Sequence, residues 1–139
     1  MMYDKSMKRL VIIDYGFSCT TVKNMSYTCV ANVGSPLFKA PELLKEATKI
    51  EKLTSSDSLS TLKAADIWAG GITFYELATL EPAYDSKDRE DLYKKIRSGE
   101  TPWIQDDDRV SHVINDMLVY DYKKRPSAQK LLDKYYTSK

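Results

Sequence analysis

The sequence predicts a mainly α fold with a short β-strand element near its N-terminus. Three observations carry this. The stretch Ala64 to Leu80 has apolar residues on all sides of a helical wheel: Ile67, Trp68, Ile72, Phe74, Tyr75, Leu77 and Leu80. A helix apolar all round is buried with neighbours on several faces. Further stretches behind it carry an apolar stripe at helical spacing, such as Val110, Val113, Ile114, Met117 and Leu118. Only Lys8 to Ile13, with Val11, Ile12 and Ile13 together, reads as a strand.

Taken in order, Met1 to Ser6 carries the turn signal Asp4-Lys5-Ser6. The strand follows and ends in Asp14-Tyr15-Gly16. An Asp there, with Gly two residues on, can aim a carboxylate into a cleft, but on these residues alone a plain turn is the simpler reading. Phe17 to Lys39 has no sustained period and is rich in Ser, Thr and Asn. A loop of that length in a compact domain is functional or disordered. Ala40 to Lys45 opens a helix with Pro41 at its start and Glu42 in its first turn, expected to fade near Ile50. Leu53 to Thr61 is a flexible polar linker by composition.

The buried helix begins at Ala64, where Asp66 favours the helix dipole, and is stopped by Glu81-Pro82. Its Gly70 and Gly71 let other backbone come close. Asp85-Ser86 caps a helix from Lys87 to Ser98, ended by Gly99, with Leu92, Tyr93 and Ile96 on one stripe. Trp103 sits in a loop as a buried-looking aromatic, and Asp106-Asp107-Asp108 is a solvated acidic turn. Val110 to Tyr120 is the next helix. Pro126 opens the last one, with Ala128, Leu131, Leu132 and Tyr135 inward.

A chain of 139 residues fits one domain. Its formal net charge of +1 gives no nucleic-acid or membrane signal, so neither is expected as a partner. A signal peptide or transmembrane run is not apparent, and a cytoplasmic or nuclear protein is expected. Cys19 and Cys29 are too few for a disulfide framework and read as reduced thiols. His112 is the single histidine, which excludes a His-rich metal site; it reads as a partly exposed helix residue.

Four short motifs, in one order, resemble the C-terminal lobe of a protein kinase. Asp14-Tyr15-Gly16 after a strand is similar to the family's D-F-G, with Tyr for Phe. Gly34-Ser35-Pro36-Leu37-Phe38-Lys39-Ala40-Pro41-Glu42 is similar to its G-T-P segment and A-P-E. Asp66-Ile67-Trp68-Ala69-Gly70-Gly71 resembles the D-x-W-S-x-G that opens the buried helix F. Arg125-Pro126-Ser127-Ala128 matches R-P-[ST]-A before the last helix. One such motif is weak; four near the family's spacing are strong. The resemblance implies a partial protein-kinase-like fold over 1–139, with an activation segment at 14–42, an inserted loop at about 53–62 and a helical core at 64–137.

The resemblance also implies roles. Asp14 is the metal and cofactor ligand, holding the Mg²⁺ that bridges nucleotide phosphates. Gly16 lets the activation segment change course. Gly34 and Ser35 lie on the substrate loop, and Ser35 favours Ser/Thr over Tyr specificity. Glu42 and Arg125 form an internal ion pair, and Asp66 holds the backbone of the H-R-D loop. The usual activation-loop phosphosite falls on Ala31, with Ser26, Tyr27 and Thr28 as nearby substitutes.

The glycine-rich loop, the V-A-I-K lysine and the H-R-D loop do not occur in these 139 residues. Phosphoryl transfer draws on all of them, so no catalytic base is assigned. ATP and Mg²⁺ are implied for a full domain and are not expected to bind this chain well by itself. The implied partners are a protein substrate or regulatory protein, and the N-terminal half of such a domain. Two functions stay open: part of a Ser/Thr kinase, or a catalytically dead, pseudokinase-like interaction module.

Overall fold

The computed structural model describes residues 2–16, 18, 34–44 and 56–136, with the backbone alone at 56–58. Expectations for Cys19, Cys29, Ala31 and the candidate phosphosites lie outside these residues, as does the course of the chain from Lys45 to Ile50.

The N-terminus forms a hairpin. β1 (Met2–Asp4) pairs antiparallel with β2 (Arg9–Val11), Met2 opposite Val11 and Asp4 opposite Arg9. The turn between them is an Asx turn. Asp4 Oδ1 accepts from Ser6 N–H at 2.9 Å, Ser6 Oγ–H at 2.6 Å and Met7 N–H at 3.2 Å. These bonds hold the Asp4 carboxyl below its ordinary pKa range, Ser6 contributing most. Sequence patterning found the turn but not β1, a three-residue strand with no alternation to read.

The central helix α1 runs Ser56–Thr79, about 36 Å at 1.5 Å per residue. Its first residues correct the expected loop at about 53–62, because 56–62 are helical. Ser and Thr are weak helix formers, but no Pro or Gly interrupts 56–69. Adding turns to an existing helix also needs no new nucleus. Leu80, in the left-handed region at φ 59°, ends the helix ahead of Pro82.

Trp68 and Ile72 of α1 are fully buried. Around them pack Leu92 and Ile96 of α2 (Arg89–Arg97), Ile114 of α3 (Arg109–Met117), Leu118, Tyr84, Ala40 and Leu44. A Cβ on Gly71 would stand 2.8 Å from Leu118 Cδ2 and 3.0 Å from Met117 Cβ. The α1–α3 approach is therefore set by a residue with no side chain.

Caps fix the helix starts more tightly than the apolar stripes suggested. Asp88, not Asp85-Ser86, caps α2, accepting from Asp91 N–H at 2.9 Å. Asp108 caps α3 through Ser111 N–H at 2.8 Å, which lowers its pKa. The helix then closes at Met117, three residues short of Tyr120. Ser127 caps α4 (Ala128–Tyr135), so Pro126 precedes the cap rather than opening the helix. Ala128 and Leu132 are exposed, contrary to their expected inward facing.

Trp103 is 64% exposed rather than buried. Pro102 is buried beside it, and Asn115 grips Ile104 through both backbone groups, at 3.0 and 2.8 Å. In an extended chain the residue between two inward neighbours points out. Among the described residues no helix is long and apolar enough to cross a membrane.

Candidate functional site

Asp14 follows β2 at an exposed position with φ 65°. Left-handed backbone is uncommon for a residue with a side chain, though Asp tolerates it best after Gly and Asn. Its Oδ1 accepts from Gly16 N–H at 3.3 Å. Tyr15 turns back, its hydroxyl donating to the Ile12 carbonyl at 2.8 Å, while Ser18 closes the turn on the Tyr15 carbonyl. The carboxylate is thus held at a sharp turn with one oxygen engaged locally. Asp14 belongs to no cluster of three or more His, Cys, Asp or Glu among the described residues.

The segment 34–44 is built from two single 3₁₀ turns, Pro36–Phe38 and Pro41–Leu43, each started by a proline. Gly34 at φ 93° supplies the left-handed entry that glycine adopts freely, and Ser35 is extended and exposed just before Pro36. Ala40 and Pro41 are buried against α1.

Glu42 and Arg125, 83 positions apart, meet as a paired fork. Arg125 Nη1–H donates to Glu42 Oε1 at 2.7 Å and Nη2–H to Oε2 at 3.1 Å, with the Arg125 side chain 0% and the Glu42 side chain 4% exposed. The remaining donors reach the Val119, Ala64 and Tyr120 carbonyls. The guanidinium also lies over the Trp68 ring, 5.0 Å from its centroid. A planar, permanently charged group with five donors suits this position; a lysine does not.

Asp66 stands apart. It is exposed near the middle of α1, and its carboxylate has no hydrogen-bond partner among the described residues. Partial burial pushes its pKa above the ordinary range. No bond joins Asp14 or Asp66 to the Glu42–Arg125 pair among the described residues.

A protein kinase domain model matches residues 1–137. The chain belongs to the protein kinase family. Similar kinases include calcium-dependent protein kinase 5 of Plasmodium berghei, 29% identical over 127 residues, covering 88% of this chain and 20% of that protein. Serine/threonine-protein kinase Nek8 of Danio rerio is 31% identical over 135 residues, covering 95% of this chain and 17% of its own length. Calcium-dependent protein kinase 19 of Arabidopsis thaliana is 27% identical over 135 residues, at 94% and 22%. The chain spans about a fifth of the length of these kinases. The mainly helical, partial kinase-like fold fits that membership.

Two further features lie outside the four motifs. One is Arg97, whose guanidinium brackets the Leu44 carbonyl with Nε–H at 3.2 Å and Nη2–H at 2.9 Å. Its only signal was a basic residue in the last turn of a helix, a common surface feature. The other is an apolar groove of about 520 Å³ between α1, α3 and α4, lined by Ile67, Phe74, Val110, Val113, Leu132 and Tyr136 among others. Arg109 lies at the groove, stacked on the Tyr136 ring.

Proposed function

We propose that this chain is the C-terminal part of a Ser/Thr protein kinase domain, contributing the metal-ligand aspartate and the substrate-facing segment to ATP-dependent phosphoryl transfer onto protein Ser or Thr. The observation that carries the reading is the buried Glu42–Arg125 fork. It ties the A-P-E-like turn to the R-P-S-A-like turn and to α1, so three motifs of the family act on one structural unit. In this reading Asp14 supplies one hard oxygen ligand to Mg²⁺, which otherwise keeps waters and phosphate oxygens. The residues described here fit one corner of such a site rather than the whole of it. Gly16 gives the activation segment its freedom to turn, and Ser35 beside Gly34 favours a Ser/Thr acceptor. Asp66, with no hydrogen-bond partner among the described residues, accepts hydrogen bonds from the catalytic-loop backbone in this reading.

Phosphoryl transfer is positioning and charge stabilisation by several parts at once. The chain alone is therefore inactive in this reading, and ATP with Mg²⁺ binds it poorly. The test is a chimera that places residues 1–139 behind the N-terminal half of a related Ser/Thr kinase. Phosphorylation of Ser/Thr peptides, absent with Tyr peptides and lost in Asp14→Ala, is expected. A well-folded chimera with no transfer dependent on Asp14 favours the interaction-module function instead.

A further inference from the structure

Asp14 holds a backbone conformation, φ 65°, that persists in a residue with a side chain only where the surroundings enforce it. Burial does not enforce it here, since Ile12 and Tyr15 are 64% and 66% exposed. What encloses Asp14 is a set of hydrogen bonds centred on Tyr15. The Tyr15 hydroxyl donates back to the Ile12 carbonyl at 2.8 Å and closes residues 12–15 into a loop around Asp14. The Tyr15 carbonyl accepts from Ser18 N–H at 3.0 Å and Ser18 Oγ–H at 2.8 Å, closing residues 15–18 around Gly16. Tyr15 is thus tied at both ends, with Asp14 on one side of it and Gly16 on the other. The Asp14 carboxylate lies over Gly16. Its Oδ1 takes the Gly16 N–H at 3.3 Å, and a Cβ on Gly16 would stand 3.4 Å from the same oxygen. Oδ2 has no hydrogen-bond partner among the described residues. The Phe of the family's motif has the ring but no donor, so the bond back to Ile12 comes with this chain's Tyr.

We propose that Tyr15 is a positioning residue for Asp14: its hydroxyl, through the Ile12 carbonyl, holds the left-handed turn at Asp14 and so sets how readily the remaining carboxylate oxygen takes a divalent cation. A turn that is already formed leaves less of the chain to order when the cation arrives. Without the hydroxyl, Asp14 occupies the turn for only a fraction of the time, and the apparent affinity for the cation falls by that fraction. The role of Asp14 toward Mg²⁺ rests on the kinase reading, whereas the hold of Tyr15 on Asp14 rests on the turn alone.

The test has two arms. NMR on the 1–139 chain follows the Ile12 carbonyl ¹³C resonance and the amide–α-proton coupling of Asp14, which reports φ. Tyr15→Phe is expected to shift the Ile12 resonance and to move the Asp14 coupling to an average over left- and right-handed backbone, with the couplings of Leu10 and Val11 unchanged. Para-aminophenylalanine at position 15 keeps a donor on the ring and is expected to restore both signals. The second arm uses the chimera with the N-terminal half of a related Ser/Thr kinase. There Tyr15→Phe is expected to raise the Mg²⁺ concentration for half-maximal transfer by about threefold or more, while the KM for the peptide stays where it was. An unchanged Asp14 coupling in Tyr15→Phe, or a coupling that the ring amine does not restore, overturns the role given to Tyr15. So does an active chimera in which Tyr15→Phe lowers transfer equally at every Mg²⁺ concentration, or not at all. A chimera with no transfer dependent on Asp14 counts against the kinase reading instead, and the NMR arm still decides whether Tyr15 holds the turn.

Discussion

Arg125 donates five hydrogen bonds, two to Glu42 and one each to Val119, Ala64 and Tyr120, with its side chain fully buried. Breaking a buried ion pair on one side leaves the other charge uncompensated and costs about 3–5 kcal/mol. Glu42→Ala and Arg125→Ala are each expected to lose about that much in urea unfolding, and the double variant less than their sum; additive losses in the cycle contradict the pairing. Asp66 points the other way. Its raised pKa means that the folded state binds its proton more readily than the unfolded state does, so the charged form is a liability above that pKa. As pH falls through the raised pKa and below the ordinary carboxylate range, this penalty disappears. Asp66→Asn is therefore expected to leave the thermal midpoint unchanged or higher at neutral pH, with the difference closing in acid. A large loss at pH 7 contradicts it. The Glu42–Arg125 pair was legible in the sequence only through motif resemblance, because a partner 83 positions away leaves no local trace.

At the scale of elements, the two adjacent glycines of α1 make opposite forecasts. A Cβ on Gly70 meets the Met117 methyl at 2.9 Å, the far end of a flexible chain, whereas one on Gly71 meets Leu118 and the Met117 Cβ. Replacing glycine inside a helix gains up to about 1 kcal/mol of propensity, while overpacking costs about 1–3 kcal/mol. Gly70→Ala is expected to be neutral or stabilising and Gly71→Ala destabilising by about 1–2 kcal/mol net, measured by chemical denaturation. The same contrast explains what could be read ahead of the structure. Trp68 and Ile72 announced a buried helix, and Val113, Ile114 and Met117 a third one, because periodicity is a property of the local chain. Boundaries were set by groups that periodicity does not weigh: the Asp88, Asp108 and Ser127 side chains at helix starts, and the uninterrupted run that lets α1 extend back to Ser56. Trp103 was misplaced because its direction follows from Asn115 gripping Ile104, a contact between a loop and a helix.

Across the whole molecule, the helices cover α1 unevenly. The groove beside Ile67 and Phe74 leaves Val110, Leu132 and Tyr136 at 60%, 46% and 76% exposure. Each large apolar side chain left in water forgoes about 1.5–3 kcal/mol, and a contiguous patch of this kind promotes association. The 1–139 chain is expected to bind an apolar dye and to self-associate in sedimentation. The double variant Val110→Ser with Leu132→Gln should suppress both at little cost in stability, since the two side chains are already half in water. A monomeric natural chain that binds no dye contradicts this. The order of the motifs made the family legible before any coordinates. The groove and the Arg97 fork were not legible, since each is assembled from elements far apart in sequence. The account as a whole turns on whether Asp14 and the 34–44 segment suffice for chemistry without the other parts that phosphoryl transfer draws on. Transfer of label from ATP to a generic Ser/Thr substrate by residues 1–139 alone, beside Asp14→Ala, measures it directly: the prediction is no transfer above the Asp14→Ala background, and transfer that disappears in Asp14→Ala contradicts it.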